Sequence, residues 1–116
     1  MQRDPSAFLW DVRAAGLAIQ TFTAGMDAAA YASNEMAQSA VERKFEIIGE
    51  ALSQLAKVDA VLTARIPDVP QIVGFRNLLV HGYATVNVST VWNVVQDALP
   101  PLLGAVQSLL NELGSA

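Results

Sequence analysis

The chain of 116 residues contains no cysteine and a single histidine. The first absence excludes a disulfide framework and any thiolate metal site, and one imidazole supplies too few ligands for a transition-metal centre. No apolar run reaches the roughly 18 residues a membrane span requires. The richest, from Ala98 to Leu110, is interrupted by Pro100 and Pro101. The opening Met1-Gln2-Arg3-Asp4-Pro5 lacks the n-region and h-region of a signal peptide, so a cytoplasmic protein is expected. Positive charge is also scarce, with 7 Lys and Arg against 11 Asp and Glu and a net charge of −4. A protein that grips nucleic acid by broad phosphate neutralisation is basic. Any nucleic acid handled here must therefore meet a focused cationic site or a surface completed by a partner.

What the chain has in abundance is apolar side chains, 53% of its residues, with a mean hydropathy of +0.34. That is high for a small soluble monomer and predicts that a partner covers part of the surface. The length predicts one domain over residues 1–116. Apolar residues recur at spacings of three and four, and strand-like alternation is nearly absent. Val41, Phe45, Ile48, Leu52 and Leu55 mark one buried face of a long helix from about Asn34 to Lys57. Glu42, Glu46 and Glu50 fall on another face, expected to be solvated. Glu50, set among small and apolar neighbours, is the exception, a carboxylate placed to pair with a cation such as Arg76. A first helix carrying Phe8, Leu9, Val12, Ile19 and Phe22 is expected from Pro5-Ser6, with serine as cap, to about Gly25. Residues from Asp27 to Ser33 read as a short helical connector. Pro67 and Pro70 bracket a break, and a further helix runs from about Gln71 to Gly82. Ser89 or Thr90 is expected to cap a last helix, which Pro100-Pro101 must kink. The fold expected is all-α, an up-and-down bundle of four or five helices with a kinked C-terminal helix, forming a dimer.

The polar chemistry concentrates in Arg76-Asn77-Leu78-Leu79-Val80-His81-Gly82-Tyr83, beyond which the chain has no further Lys or Arg. Asn77 and His81 are i,i+4 neighbours on a helix, which would let the amide fix the imidazole's tautomer. Arg76 and His81, five apart, stand roughly 140° apart around the axis, flanking a groove rather than sharing a stripe. An imidazole can serve as general base or acid near neutrality, and a guanidinium stabilises charge on a phosphorane-like transition state. RNA brings its own nucleophile, the 2′-OH, so such a pair could cleave it without metal or cofactor. Taken alone, these residues also fit a structural histidine, a helix-end ion pair and a packed tyrosine.

The same residues resemble the Arg-x4-His-x-Tyr motif of HepT-like toxins, a branch of the all-helical HEPN superfamily of ribonucleases. The likeness extends over about residues 6 to 110. The segment from Ala40 to Arg43, with Glu46-Ile47-Ile48-Gly49-Glu50-Ala51, resembles the family's long second helix. Val91-Trp92-Asn93-Val94-Val95 and Leu99-Pro100-Pro101-Leu102 resemble its kinked final helix. The resemblance implies a metal-independent endoribonuclease, the toxin of a type VII-like toxin–antitoxin pair acting as a homodimer on RNA. Arg76 and His81 carry over as catalytic residues, Asn77 as the polar residue beside the arginine. Tyr83 carries over as the acceptor of AMP from a minimal nucleotidyltransferase antitoxin. A phosphate and base attached there would block the place of an RNA phosphate by charge and by bulk. Arg43 and Lys44, with Arg13, are candidates for further RNA contacts, each of which also fits a solvated helix face. The competing reading is a non-catalytic helical module that binds RNA or nucleotide, or serves as docking partner of the nucleotidyltransferase.

Overall fold

The computed structural model describes residues 3–114 and, at Tyr83, the backbone alone. Among these residues the structure is helical and contains no strand. Helix α1 spans Pro5–Thr23, with Pro5 at its first position. Its cap is Asp4 rather than Ser6: the carboxylate accepts from the Ser6 amide at 2.9 Å and from the Ser6 hydroxyl at 2.7 Å. A charged acceptor preceding proline outcompetes the hydroxyl for this role. Helix α2 (Ala28–Ala32) is the expected connector, capped by Asp27, and α3 (Glu35–Val58) is the long helix, capped by Asn34. After the single turn of α4 (Ala60–Thr63), Asp68 takes a left-handed conformation with φ of 60° and launches α5 (Val69–His81). Pro70 lies in the first turn of α5, where a missing backbone N–H costs nothing.

A 3-10 turn (Tyr83–Thr85) leads to α6 (Val88–Asn93). Asn87 caps this helix, accepting from the amides of Ser89 and Thr90, so the expected capping residues are the ones being capped. The kink takes a definite form. Residues Val94–Ala98 widen into a π-helical turn, and α7 (Leu99–Glu112) restarts with both prolines in its first turn. The wide turn absorbs the donors the prolines lack, so one helix becomes two segments.

The four long elements α1, α3, α5 and α6–α7 form the expected bundle. Helix α3 packs on both α1 and α5, and α1 also packs on α7. The predicted α3 row of Val41, Phe45, Ile48, Leu52 and Leu55 is at most 2% exposed, which makes this helix the axis of the core. Phe45 meets Phe75 of α5 edge to face at 5.3 Å, and Tyr31 of α2 packs on Trp92 of α6 at 5.2 Å. No helix of the described residues is long and apolar enough to cross a membrane. Trp10, Leu17 and Phe22 of α1 remain substantially exposed, as do Leu78 and Val80 of α5.

The acidic row of α3 departs from expectation at two positions. Glu42 and Glu46 are half-buried, while Glu50, exposed at the edge of a cleft that Glu46 also lines, takes the exceptional role expected of it. Burial, with Glu46 as the second cause, holds the Glu42 carboxyl above the usual carboxylate range. Burial first, and then the nearby Glu42, push the Tyr31 phenol up to about 12.

Candidate active site

The site begins where α5 crosses α3. Gly49 presents no side chain there, and the stem of Arg76 occupies the space a Cβ would need. A glycine inside a helix costs about 1 kcal/mol relative to alanine, a cost offset here by close approach of the neighbouring helix. Laid along α3, the Arg76 side chain is 27% exposed, and its Nη2 lies 2.8 Å from Glu50 Oε2. This is the pairing expected for Glu50. The other Glu50 oxygen accepts from Gln54 Nε2 at 3.0 Å, which holds the carboxylate from its far side. Arg76 Nη1 donates to Asn77 Oδ1 at 2.8 Å, while its Nε is buried with no protein partner among the described residues. The guanidinium is thus gripped at both tips, with donors to spare on each.

Arg76 forms part of the wall of a cleft of about 590 Å³ between α1, α3 and α5. Arg3, Asp11, Arg43, Glu46, Glu50 and Gln54 supply its polar lining, and Phe8, Ile47, Ala51, Val58 and Val80 its apolar lining. Arg43 pairs loosely with Glu46 at 3.4 Å, and Arg3 with Asp11 at 2.7 Å. Lys44 is half-buried outside the cleft. Arg13 faces away, bonded to Gln107 at 2.7 Å and stacked on Trp10. Three arginines opposed by three carboxylates make the lining balanced in charge, although the chain as a whole is acidic.

His81 does not join Arg76 in this cleft. It is the last residue of α5 and is exposed, whereas its neighbour Val80 does line the cleft. The angular offset of five helical residues produces this split. Nor does Asn77 hold His81: its side-chain oxygen is taken by Arg76, and no hydrogen bond joins Asn77 to the imidazole among the described residues. A guanidinium one residue away is the stronger donor, and charge-assisted bonds win such competitions. Gly82 ends α5 without a left-handed turn, at φ −115°, its amide bonded to the Leu78 carbonyl at 2.7 Å. A Cβ at Gly82 would stand 2.9 Å from Leu78 Cδ1 and 3.1 Å from the Leu78 carbonyl oxygen, so a larger residue would need the Leu78 side chain to move and the backbone to give by a few tenths of an ångström. Tyr83 opens the next turn, and its side chain lies outside the described residues.

Sequence reasoning missed Gly49, Gln54, Arg3 and Asp11. Gly49 did carry a signal, since glycine within a strongly periodic helix marks close backbone approach. For Arg3 and Asp11 there was none, because only the packing of α1 on α3 brings the chain's first residues to the cleft.

Comparison with known proteins shows the family. The family described as Ribonuclease HepT-like matches residues 14–109. A protein of Methanocaldococcus jannaschii named as an RNase is 33% identical over 108 residues, covering 91% of this chain and 96% of the relative. A second RNase-named protein of that organism is 30% identical over 114 residues, 97% of this chain and 96% of the relative. A protein of Thermococcus cleftensis named as ribonuclease HepT is 30% identical over 109 residues, covering 94% and 98%. No solved structure matches the chain. With its motif on α5 and a family match spanning most of its length, the chain belongs to the HepT-like ribonuclease family of the HEPN superfamily.

Proposed function

We propose that this protein is a metal-independent endoribonuclease, the toxin of a two-component toxin–antitoxin system. The observation that carries the reading is the Arg76 guanidinium, oriented by Glu50 and Asn77 at a cleft wall and followed one turn later by an exposed imidazole. His81 takes the proton of the substrate's 2′-OH, and the 2′ oxygen attacks the adjacent phosphorus. Arg76 stabilises the charge that builds on the phosphoryl oxygens. The bond to the 5′ oxygen breaks, a proton returns to that oxygen, and the products are a 2′,3′-cyclic phosphate and a 5′-OH.

A single copy offers Arg76 and His81 on different sides of α5, so the reading calls for a homodimer. Leu78, 38% exposed, lies one turn before His81 on the same face, and a Cβ at Gly74, a further turn back, would meet nothing within 4 Å. A second copy packed on that face would cover Leu78 and bring its own motif across the first. The partner in regulation is a minimal nucleotidyltransferase. The Tyr83 phenol attacks the α-phosphate of ATP, pyrophosphate leaves, and the tyrosyl AMP ester places an anion and a base beside His81.

The deciding experiment incubates purified protein with RNA in EDTA. Cleavage leaving 2′,3′-cyclic ends, lost in both Arg76→Ala and His81→Ala, supports the enzyme. Intact RNA with unmodified wild type removes it. The split between Arg76 and His81 favours one second reading, a module that binds RNA without cutting it, and retention of intact RNA supports that instead. Co-expression with the nucleotidyltransferase is expected to add the mass of AMP to wild type and not to Tyr83→Phe. A labelled Tyr83→Phe protein means that the acceptor is a different residue.

A further inference from the structure

The cleft beside Arg76 is larger and more apolar than a phosphate requires. Its volume of about 590 Å³ falls within the roughly 300–1,000 Å³ typical of pockets for small organic ligands. Ile47, Ala51, Val58 and Val80 line it with hydrocarbon, which gains nothing from contact with a phosphate and gains from any flat apolar face. Around this floor stand three opposed pairs: Arg3 with Asp11, Arg43 with Glu46, and Arg76 with Glu50. All three are partly exposed, and such pairs hold their geometry weakly; Arg76 has Asn77 as a second partner, whereas the donors and acceptors of the first two can turn towards a ligand's edge. Gln54 adds an amide at the same rim. An apolar floor, a rim of alternating donors and acceptors, and one oriented guanidinium match a heteroaromatic ring joined to a phosphate.

We propose that this cleft is a nucleobase subsite, which seats one base of the RNA on the floor of Ile47, Ala51, Val58 and Val80 with its phosphate at Arg76. The assignment rests on the ribonuclease reading and adds to it the place of a base next to the phosphate. It also resolves the mismatch between an acidic chain and an RNA substrate. Contact with the base supplies affinity that does not depend on net positive charge.

The test titrates the purified protein with the four nucleoside 5′-monophosphates, ribose 5-phosphate and inorganic phosphate, followed by backbone amide NMR shifts. At least one nucleoside monophosphate is expected to shift the amides of Ile47, Ala51, Gln54 and Val80. It should also bind about tenfold tighter than ribose 5-phosphate, the gain expected from burying one face of a base. Ala51→Leu and Val80→Leu fill the cleft without changing charge. Each should remove that gain while leaving ribose 5-phosphate affinity unchanged. Val80 is 39% exposed, so its variant keeps the fold even if Ala51→Leu does not. Equal affinity for nucleoside monophosphates and ribose 5-phosphate overturns the proposal, as do shifts confined to another surface or a cleft closed by a second copy. RNA cleavage without monophosphate binding leaves the nuclease and removes the subsite. Monophosphate binding at these residues without RNA cleavage does the reverse.

Discussion

Gly49 of α3 and Arg76 of α5 share one space: a Cβ built at position 49 would overlap the Cβ of Arg76 and stand 2.6 Å from its Cγ. The contact falls at the rigid base of the arginine rather than at its flexible tip, so the two helices would have to separate. Gly49 therefore determines how closely Arg76 lies against α3, and with it the distance to Glu50.

Gly49→Ala is expected to destabilise the protein by about 1–2 kcal/mol. Overpacking costs about 1–3 kcal/mol, and alanine's better helix propensity recovers part of that. RNA cleavage should fall further than the loss of folded protein explains, because Arg76 is displaced. Denaturant titration alongside cleavage rates at matched folded fraction checks both parts. An active, more stable variant would show that the crossing is loose.

Glu50→Gln removes the anion beside Arg76 while keeping a group able to accept its hydrogen bond. Both side chains of the pair are partly exposed, so stability should change by less than about 1 kcal/mol. RNA should bind roughly two- to fivefold tighter, since a carboxylate no longer competes with phosphate for the guanidinium. Fluorescence anisotropy in a His81→Ala background measures this without turnover. Weaker binding would mean that Glu50 chiefly orients Arg76.

Asn77→Ala distinguishes the contact expected with His81 from the contact found with Arg76. Freeing Nη1 should lower kcat/KM by roughly tenfold, in the range of a hydrogen bond to a charged group. The pKa in the pH–rate profile should stay in place. A moved profile would return Asn77 to the imidazole.

Glu42 of α3 and Tyr31 of α2 make stability depend on pH. Glu42 has a raised carboxyl pKa in the folded protein, so the folded state binds its proton more tightly than the unfolded chain. Stability from this group is fully present below the ordinary carboxylate range and is lost as pH rises through the folded value. Glu42→Gln should therefore raise the Tm at neutral pH, with the difference vanishing in acid. Tyr31, pushed up to about 12, adds a further loss as pH climbs from about 10, where the unfolded phenol ionises. Its hydroxyl is buried without a protein partner among the described residues, so Tyr31→Phe should stabilise by about 1 kcal/mol. Thermal melts across pH test all three statements, and a destabilised Tyr31→Phe would reveal a partner for the hydroxyl.

Much of the fold was legible because helix geometry is local. A 4-3-4-3 row of apolar residues buries one face whatever it packs against, so the core of α3 could be read directly. The helix starts proved less legible. Asp4 and Asn87 displaced Ser6, Ser89 and Thr90 as caps because neighbouring acceptors compete, and the winner depends on backbone geometry at the junction. Glu42 and Glu46 of α3 misled for a different reason: a polar row looks solvated until a neighbouring helix is placed beside it.

The sequence by itself determined that the chain is helical, which faces of its helices are apolar, and that Arg76 and His81 stand apart around one helix axis. These follow from residue type and the 3.6-residue turn. Only the tertiary structure decided that Arg76 lies on Gly49, that Asn77 serves the arginine and not the histidine, and that Arg3 and Asp11 complete the cleft. Each of those depends on where one helix crosses another and which donor comes nearest an acceptor, relations that spacing along the chain does not specify.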